Sequence, residues 1–367
     1  MKIVKKLSYF LHRNSITNKH IQQQMSEFQF TRYLYSADEV RAALVIAILN
    51  KADDTALFWA YELFHSKYDL CEFFWKLYYD FYATLNPAFE KYLSTKFKNG
   101  MKEPKMVATV VGNFVIRPHN MDIFLLRNIP SVASSKSADL ASTDYYATAF
   151  AVMNGQVTME QVICHYTSQD VKLNPSVVMS DFKKQTKHVD QNLLLLTRIM
   201  QYESNLKKLK MGKNMYIQVE DTDVIPYETI LLKHPRKILS TVGLIDIDEH
   251  KCINLFQLTR DSSDIVNAYR NDWLYAASFS PLWKNRIGSH NGQIDTESKQ
   301  VIFNEDDDLE MFYNKYDLEP DEQRLEVQEK STGKINMEVS WNTFYEVRSK
   351  NGIVPMTSKH VISKIKY

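Results

Sequence analysis

The side chains best placed by type and spacing for chemistry are Asp246, Asp248 and Glu249 beside His250. A D-x-D at the end of a strand puts two carboxylates on one face, because alternate strand residues point the same way. Such a pair holds Mg²⁺ for phosphoryl transfer, which makes Asp246 and Asp248 the candidate metal ligands. The same run also makes a polar turn before the next strand, and no second carboxylate motif or phosphate loop accompanies it. Cys164 precedes His165, a nucleophile next to a base, but neighbouring residues on a helix do not face each other. A buried Cys beside a half-exposed His is the plainer reading. Ser289-His290 reads as a turn by the same logic. Ser331-Thr332-Gly333-Lys334 has the end of a phosphate loop without its upstream glycine or a strong preceding strand. No catalytic residue is assigned, no cofactor is called for, and the chain reads as non-enzymatic.

Two charged stretches offer binding chemistry instead. Lys183, Lys184, Lys187, Arg198, Lys207, Lys208, Lys210 and Lys213 make the region 183–213 basic. Lys207, Lys208, Lys210 and Lys213 are the candidate phosphate contacts of a nucleic-acid binder. Aromatic stacking partners are not interleaved with them, as a single-strand binder needs, and a solvated helix face explains the same run. Glu305 to Asp308, Glu310, Asp317, Glu319, Asp321 and Glu322 form an acidic stretch that can dock on the basic one, within the chain or between copies.

Composition bounds these readings. The chain has 367 residues, is 44% hydrophobic and carries a formal net charge of +1, so no overall charge drives it to nucleic acid or anionic membrane. That length holds two or three domains with cores. Only 9 glycines and 10 prolines favour helices over a sandwich or barrel. Cys71, Cys164 and Cys252 are far apart and fit no zinc spacing, which points to a reducing compartment. The first residues, Met1 to Leu7, are basic without a long apolar core, so no signal peptide and no membrane span is expected.

The elements that must position any site are concentrated in Ser36 to Gly100. Ser36 with Glu39 fits a capping box. The run Ala42 to Leu49 is apolar on every side and predicts a helix buried all round, ended by Asn50. Asp53 and Asp54 supply the next cap, before Leu57, Phe58, Tyr61 and Phe64. Asp69 with Glu72 makes a second box. Leu70, Phe73, Phe74, Leu77, Tyr78 and Phe81 then follow helical spacing over 70–81. A second stripe, Trp75, Tyr79 and Tyr82, runs on another face. It is either core of this chain or a docking face, and with Trp273 and Trp283 it supplies the candidate partner-binding aromatics. Asn86-Pro87 opens a fourth helix, stopped by Asn99-Gly100, and Pro104 opens a fifth to Val115.

The fold class read from this pattern is mainly α: a layered helical N-terminal domain followed by a smaller α+β C-terminal domain. Residues 1–35 form a helical lead-in that packs on the scaffold through Phe28, Phe30 and Tyr33. Residues 36–213 form the helical scaffold, with a Ser- and Ala-rich loop or linker at 131–143. A capping box at Thr158 and Gln161, and a long helix from Lys187 to Lys210, fall within it. A boundary near residue 214 opens an α+β domain, 214–350, with strands at Tyr216 to Val219 and Leu244 to Ile247. That domain also carries helices after Asp264 and Ser280-Pro281, a hairpin around Thr296-Glu297-Ser298, and a helix after Asp306-Asp307-Asp308. Two further strands are read near Met337 to Val339 and Phe344 to Val347. Residues 351–367 are a basic tail.

Three stretches carry a family resemblance: Leu57-Phe58-Trp59-Ala60-Tyr61-Glu62-Leu63, Trp273 through Trp283, and Phe312-Tyr313-Asn314 with Glu319-Pro320-Asp321-Glu322-Gln323. Together they resemble a family of proteins encoded by nucleocytoplasmic large DNA viruses, the giant viruses and their relatives, over roughly Ser36 to Gln328. No reaction is attached to that family. The resemblance implies a virion or a viral factory in the host cytoplasm. It makes the chain a non-enzymatic structural or protein-interaction component, with other viral proteins or further copies of itself as partners. The alternative is a nucleic-acid-associated factor using the basic stretch, metal-dependent through Asp246 and Asp248.

Overall fold

Asp69 begins the most regularly patterned helix, and its carboxylate accepts hydrogen bonds from the backbone N–H of Cys71 (3.0 Å) and Glu72 (3.1 Å). Two of the N–H groups that a helix start leaves unpaired are thereby satisfied. The computed structural model describes residues 29–35, 37–120, 123–124, 194, 197–198, 201, 216–219 and 272–316. Its first helices are α1 (Ala37–Leu49), α2 (Asp53–His65), α3 (Leu70–Leu77), α4 (Phe89–Phe97) and α5 (Pro104–Val115). Later come α6 (Trp273–Ala277), α7 (Pro281–Gly288), strands β1 (Gly292–Asp295) and β2 (Gln300–Phe303), and α8 (Asp306–Tyr316). The protein is mainly α with a small α+β part late in the chain.

It divides into two compact units. Among the described residues, one comprises 29–42 with 272–316, and the other comprises 43–120 with the residues up to 219.

In the second of these, the part of α1 from Ala43 to Leu49 is buried all round as its composition predicts, each residue being 3% exposed or less. Lys51, not Asn50, adopts the left-handed conformation after it (φ 60°). Asp53 and Asp54 lie in the first turn of α2, where they face the positive helix end, and the capping position falls to Ala52. The helix predicted over 70–81 is α-helical only to Leu77. Tyr78–Tyr82 then forms one π-turn, with the Ala83 N–H donating to the Tyr78 carbonyl at 2.8 Å. The wider turn separates the directions of its rings. Tyr78 meets Phe89 edge-on at 6.1 Å, Phe81 stacks on Phe124 at 4.9 Å, and Tyr82 meets Phe114 edge-on at 4.9 Å. Asn86-Pro87 forms the turn before α4, which begins at Phe89. Gly100 takes φ +76° after its end, as the Asn-Gly signal predicts.

α2 packs along α5, and the Tyr61 hydroxyl donates to the Pro104 carbonyl at 3.0 Å. Phe114 of α5 is the shared ring of this core. Phe74 stacks on it at 5.3 Å, and Phe89 meets it edge-on at 5.0 Å. Residues 194, 197, 198 and 201 are helical and follow i, i+3, i+4, i+7, the spacing of one helix face.

The segment 216–219 is not a strand. Its backbone meets side chains of α5: the Asn113 amide bonds Ile217 N and O, and the Thr109 hydroxyl accepts from Val219 N at 3.3 Å. The helical unit therefore continues past the boundary expected near 214.

The other unit corrects the reading of the lead-in. Residues 29–35 are a turn, not a helix, and Phe30 and Leu34 pack with Trp273, Trp283, Ile287, Phe312 and Tyr316. The cause is local: the Thr31 hydroxyl accepts from Tyr35 N at 3.2 Å, offering the backbone an alternative to helix. The Phe30 N–H donates to the Ala276 carbonyl at 2.9 Å, and the Trp283 indole N–H donates to the Arg32 carbonyl at 2.9 Å. Ser280-Pro281 opens α7 as the sequence predicts, and the helix includes Gly288, one residue past the expected end at Ile287. The hairpin pairs Ile294 with Val301 in antiparallel register, with Asn291 left-handed (φ 58°) before it. Gly292 is required by packing, since a Cβ there would stand 2.6 Å from Ile287 Cγ2 and 3.1 Å from a Phe303 ring carbon. Asp306, Asp307 and Asp308 occupy the first turn of α8, and Asp308 Oδ1 accepts from the Asn291 amide at 2.9 Å.

The strands expected at 244–247, 337–339 and 344–347, the linker at 131–143, the caps at Ser36, Thr158 and Asp264, and the tail 351–367 lie outside the described residues, as does Phe28.

Truncating the shared ring, Phe114→Ala, is expected to lower unfolding free energy by about 3–5 kcal/mol. Removing a cap, Asp69→Ala, is expected to lower it by only about 1 kcal/mol. Urea unfolding followed by circular dichroism ranks the two, and equal effects would contradict this account of the core.

Candidate functional site

The five partner-binding candidates are buried in their own chain. Trp75 is 2% exposed, Tyr79 and Tyr82 are 0%, Trp273 is 4% and Trp283 is 1%. Trp75 stacks on Tyr79 at 5.9 Å and meets Phe97 edge-on at 5.5 Å, while Trp273 and Trp283 pack edge-on at 5.5 Å. These rings are core of this chain and not the docking face that their stripe suggests. Large aromatics gain more from a dry neighbour than from water, and each finds one at home. Asp246 and Asp248, Lys207, Lys208, Lys210 and Lys213, and Cys164-His165 lie outside the described residues. Among the described residues no three His, Cys, Asp or Glu side chains gather as a metal site would require.

Ser289-His290 is a turn. The Ser289 hydroxyl donates to the Arg286 carbonyl at 2.8 Å, and His290 Nδ1 lies 3.0 Å from that same oxygen. His290 Nδ1 also stands 3.0 Å from Ser289 Oγ, and with the ring proton on Nδ1 both side chains donate to the Arg286 carbonyl, which leaves the serine without a base at that nitrogen. Burial pushes the Cys71 thiol up, the opposite of an activated nucleophile.

The constellation that the fold does build lies on α4 and α5. Asn113, fully buried, is its hub. Its Nδ2 donates to the Thr109 carbonyl (2.7 Å), the Ile217 carbonyl (2.8 Å) and the Tyr92 hydroxyl (3.3 Å). Its Oδ1 accepts from Arg117 Nη1 (3.0 Å) and Ile217 N (3.1 Å). The Arg117 guanidinium stands 4.0 Å from the Phe89 ring centre and 4.7 Å from that of Tyr216. Burial lowers the Arg117 pKa, and the hydroxyl of Tyr216 opposes that shift. Tyr92 and Tyr216 stack at 4.3 Å with planes 16° apart.

A second network ties α4 to the helical residues 198 and 201. Glu90 accepts from the Tyr79 hydroxyl and from Arg198, each at 2.9 Å. Arg198 also donates to Gln201, whose amide donates to the Ala83 carbonyl at 2.7 Å. Arg198 and Glu90 are 18% and 11% exposed, so the pair is shielded without being sealed. Arg198 belongs to the basic run 183–213 in the sequence, and its charge is directed inward. A signal for Asn113 existed in the sequence: Gly112-Asn113 interrupts a valine-rich helix with two residues that disfavour helix interiors. Glu90 carried no comparable mark.

In the other unit, Asp272, Trp273, Leu274, Val301, Phe303 and Tyr313 border a shallow depression of about 160 Å³, smaller than sites for drug-sized ligands.

Among the described residues no helix is long and apolar enough to cross a membrane. Compared with protein-family models, curated proteins and solved structures, the chain finds no match.

Two outcomes follow from the buried polar groups. Arg198→Met is expected to cost about 1–3 kcal/mol by leaving Glu90 without its cation. A double-mutant cycle with Glu90→Gln should show coupling, and additive effects would mean that the pair contributes nothing. Burial raises the pKa of Tyr78 and Tyr82. Their stabilising contribution is complete below the unfolded tyrosine pKa of about 10, and is lost as pH climbs from there toward the folded values. Urea midpoints should therefore fall on going from about pH 8 to about pH 11. Among the described residues the Tyr82 hydroxyl has no hydrogen-bond partner, so Tyr82→Phe should leave neutral-pH stability unchanged or higher and flatten the alkaline loss. A destabilised Tyr82→Phe protein at neutral pH would refute that assignment.

Proposed function

We propose that the protein is a non-enzymatic structural or protein-interaction component of a large DNA virus, acting in the particle or in the viral factory of the host cytoplasm. The observation that supports the non-enzymatic part is the inward direction of three charges of the helical unit among the described residues. Glu90, Arg198 and Arg117 are turned onto neighbouring elements of the helical unit, where Glu90 ties α4 to residues 198 and 201, and Arg117 braces Asn113 and the Tyr216 ring. Polar groups at an active site converge on a space that a substrate fills; these converge on backbone and on one another. The dense aromatic packing around Phe114 supports the same reading, since a rigid scaffold suits a part that holds shape. The viral setting rests on the resemblance carried by Leu57 to Leu63, Trp273 to Trp283 and Phe312 to Gln323.

Quantitative mass spectrometry of purified particles and of isolated viral factories tests the proposal. Recovery in stoichiometric amounts with a viral partner is the expected result. Recovery only as a free monomer, absent from both preparations, overturns it. Salt-sensitive binding of DNA or RNA that is lost on changing Lys207, Lys208 and Lys210 to Glu would replace it with a nucleic-acid role.

A further inference from the structure

Tyr216 to Val219 lie on α4 and α5 in a way that ordinary loop packing does not require. The segment is exposed at Tyr216 and Gln218 and half-buried at Ile217 and Val219. That period of two is the mark of an extended chain with one face down. On the lower face, Ile217 N and O both bond the Asn113 carboxamide, at 3.1 and 2.8 Å, and Val219 N bonds Thr109 Oγ1 at 3.3 Å. A side-chain amide here does what a neighbouring strand would do, reading donor and acceptor of one residue together. The Ile217 side chain reaches the helix at Gly112. A Cβ at that position would stand 2.5 Å from Ile217 Cδ1. A glycine inside a helix is unfavourable by about 1 kcal/mol relative to alanine, and this notch supplies its reason. At the near end, the Tyr216 ring lies flat on Tyr92 and beside the Arg117 guanidinium.

Every feature of this surface is held from below. Asn113 is fixed by the Thr109 carbonyl and by Arg117, Tyr92 stacks on Phe89 at 5.5 Å, and Phe89 rests on Phe114. The seat therefore keeps its form without its occupant. Ile217 stands 104 residues from Asn113 in sequence, and the contacts are to backbone atoms, a β-branched side chain and one ring, none of which needs covalent connection to α5.

We propose that this face of α4 and α5 is a recognition groove for a short extended peptide of the pattern Tyr-Ile-Gln-Val, filled in cis by this chain's own residues 216–219 and able to take the same segment from a second copy. Binding in this mode combines main-chain hydrogen bonds for affinity with pockets for alternate side chains for selectivity. In the cis arrangement the tether gives the resident segment a high effective concentration, so an outside peptide competes only when the resident one is disabled. Exchange between copies is the route by which such an arrangement makes a dimer. The groove geometry holds whichever reading of the function is right.

The test uses the full chain with its own segment disabled, Tyr216→Ala with Ile217→Asp, and a fluorescent peptide spanning Asn214 to Asp221. Circular dichroism and thermal melting verify that the variant is folded. Should it unfold, Tyr216→Ala with Ile217→Gly, which removes both the ring and the wedge without introducing a charge, takes its place. Saturable binding of the peptide is expected, with none for a scrambled sequence. Adding Asn113→Ala should weaken binding about tenfold or more. Adding Gly112→Leu, which fills the notch while favouring the helix, should abolish it. Mixing the segment-disabled variant with a Gly112→Leu protein whose segment is intact should give a heterodimer by light scattering, while each alone stays monomeric. Failure of the peptide to bind a folded, segment-disabled protein overturns the proposal. So does binding that Gly112→Leu leaves unchanged, or the absence of heterodimer on mixing.

Discussion

The helical unit depends on one ring. Phe114 is touched by Phe74 from α3, by Tyr82 from the π-turn and by Phe89 from α4, and it belongs to α5, along which α2 packs. The edge-on and offset arrangements around it are those the aromatic quadrupole favours. The geometry fixes more than burial does, because a ring met from three directions leaves little freedom to slide. The positions of Asn113, its neighbour on α5, and of Arg117, just past the end of that helix, follow from its own.

The polar groups are arranged on that frame. Asn113 uses both ends of its carboxamide, Glu90 uses both oxygens, and Arg198 reaches Glu90 and Gln201 together. Each bond adds a modest net free energy, while an unmade one inside a dry core is expensive. Such a network contributes chiefly by excluding alternatives: a shifted α4 or a rotated α5 would strand several groups at once. In the unit containing the hairpin the same part is played by the Trp283 indole on the Arg32 carbonyl and by Asp308 on Asn291.

Much of this was legible in the sequence wherever it depended on near neighbours. Asp69, Asn99-Gly100, Pro104, Ser280-Pro281 and Asn291-Gly292 mark starts, stops and turns, and the structure has an end or a turn at each. The burial of α1 followed from its composition. Relations between distant residues were not legible. The stripe Trp75, Tyr79 and Tyr82 shows that a second face must be covered without showing by what. The alternation in Tyr216 to Val219 states that the chain is extended, and the same pattern serves a strand or a segment bound by side chains. Phe30 packs with Trp273 and Phe312 and not on the helical scaffold, because a turn at Thr31 redirects it. Among site residues, Asn113 had a weak mark in its helix-disfavouring neighbourhood, whereas Glu90 and Arg198 looked like ordinary surface charges.

The π-turn at Tyr78–Tyr82 has a consequence for how this chain tolerates change in length. Successive residues of a helix are separated by about 100° around its axis, and the wide turn holds one residue more than a regular one. Losing a single residue between Leu77 and Ala83 would leave a continuous, regular helix with good backbone hydrogen bonds. Everything beyond it would then be swung by a quarter turn or more. Tyr82 would miss Phe114, and Asn86 would lose the Pro118 carbonyl that its amide now reaches at 2.7 Å. The short piece 78–82 thus acts as a phase setting between two halves of the core, and lineages of this chain should vary its side chains more readily than its number of residues.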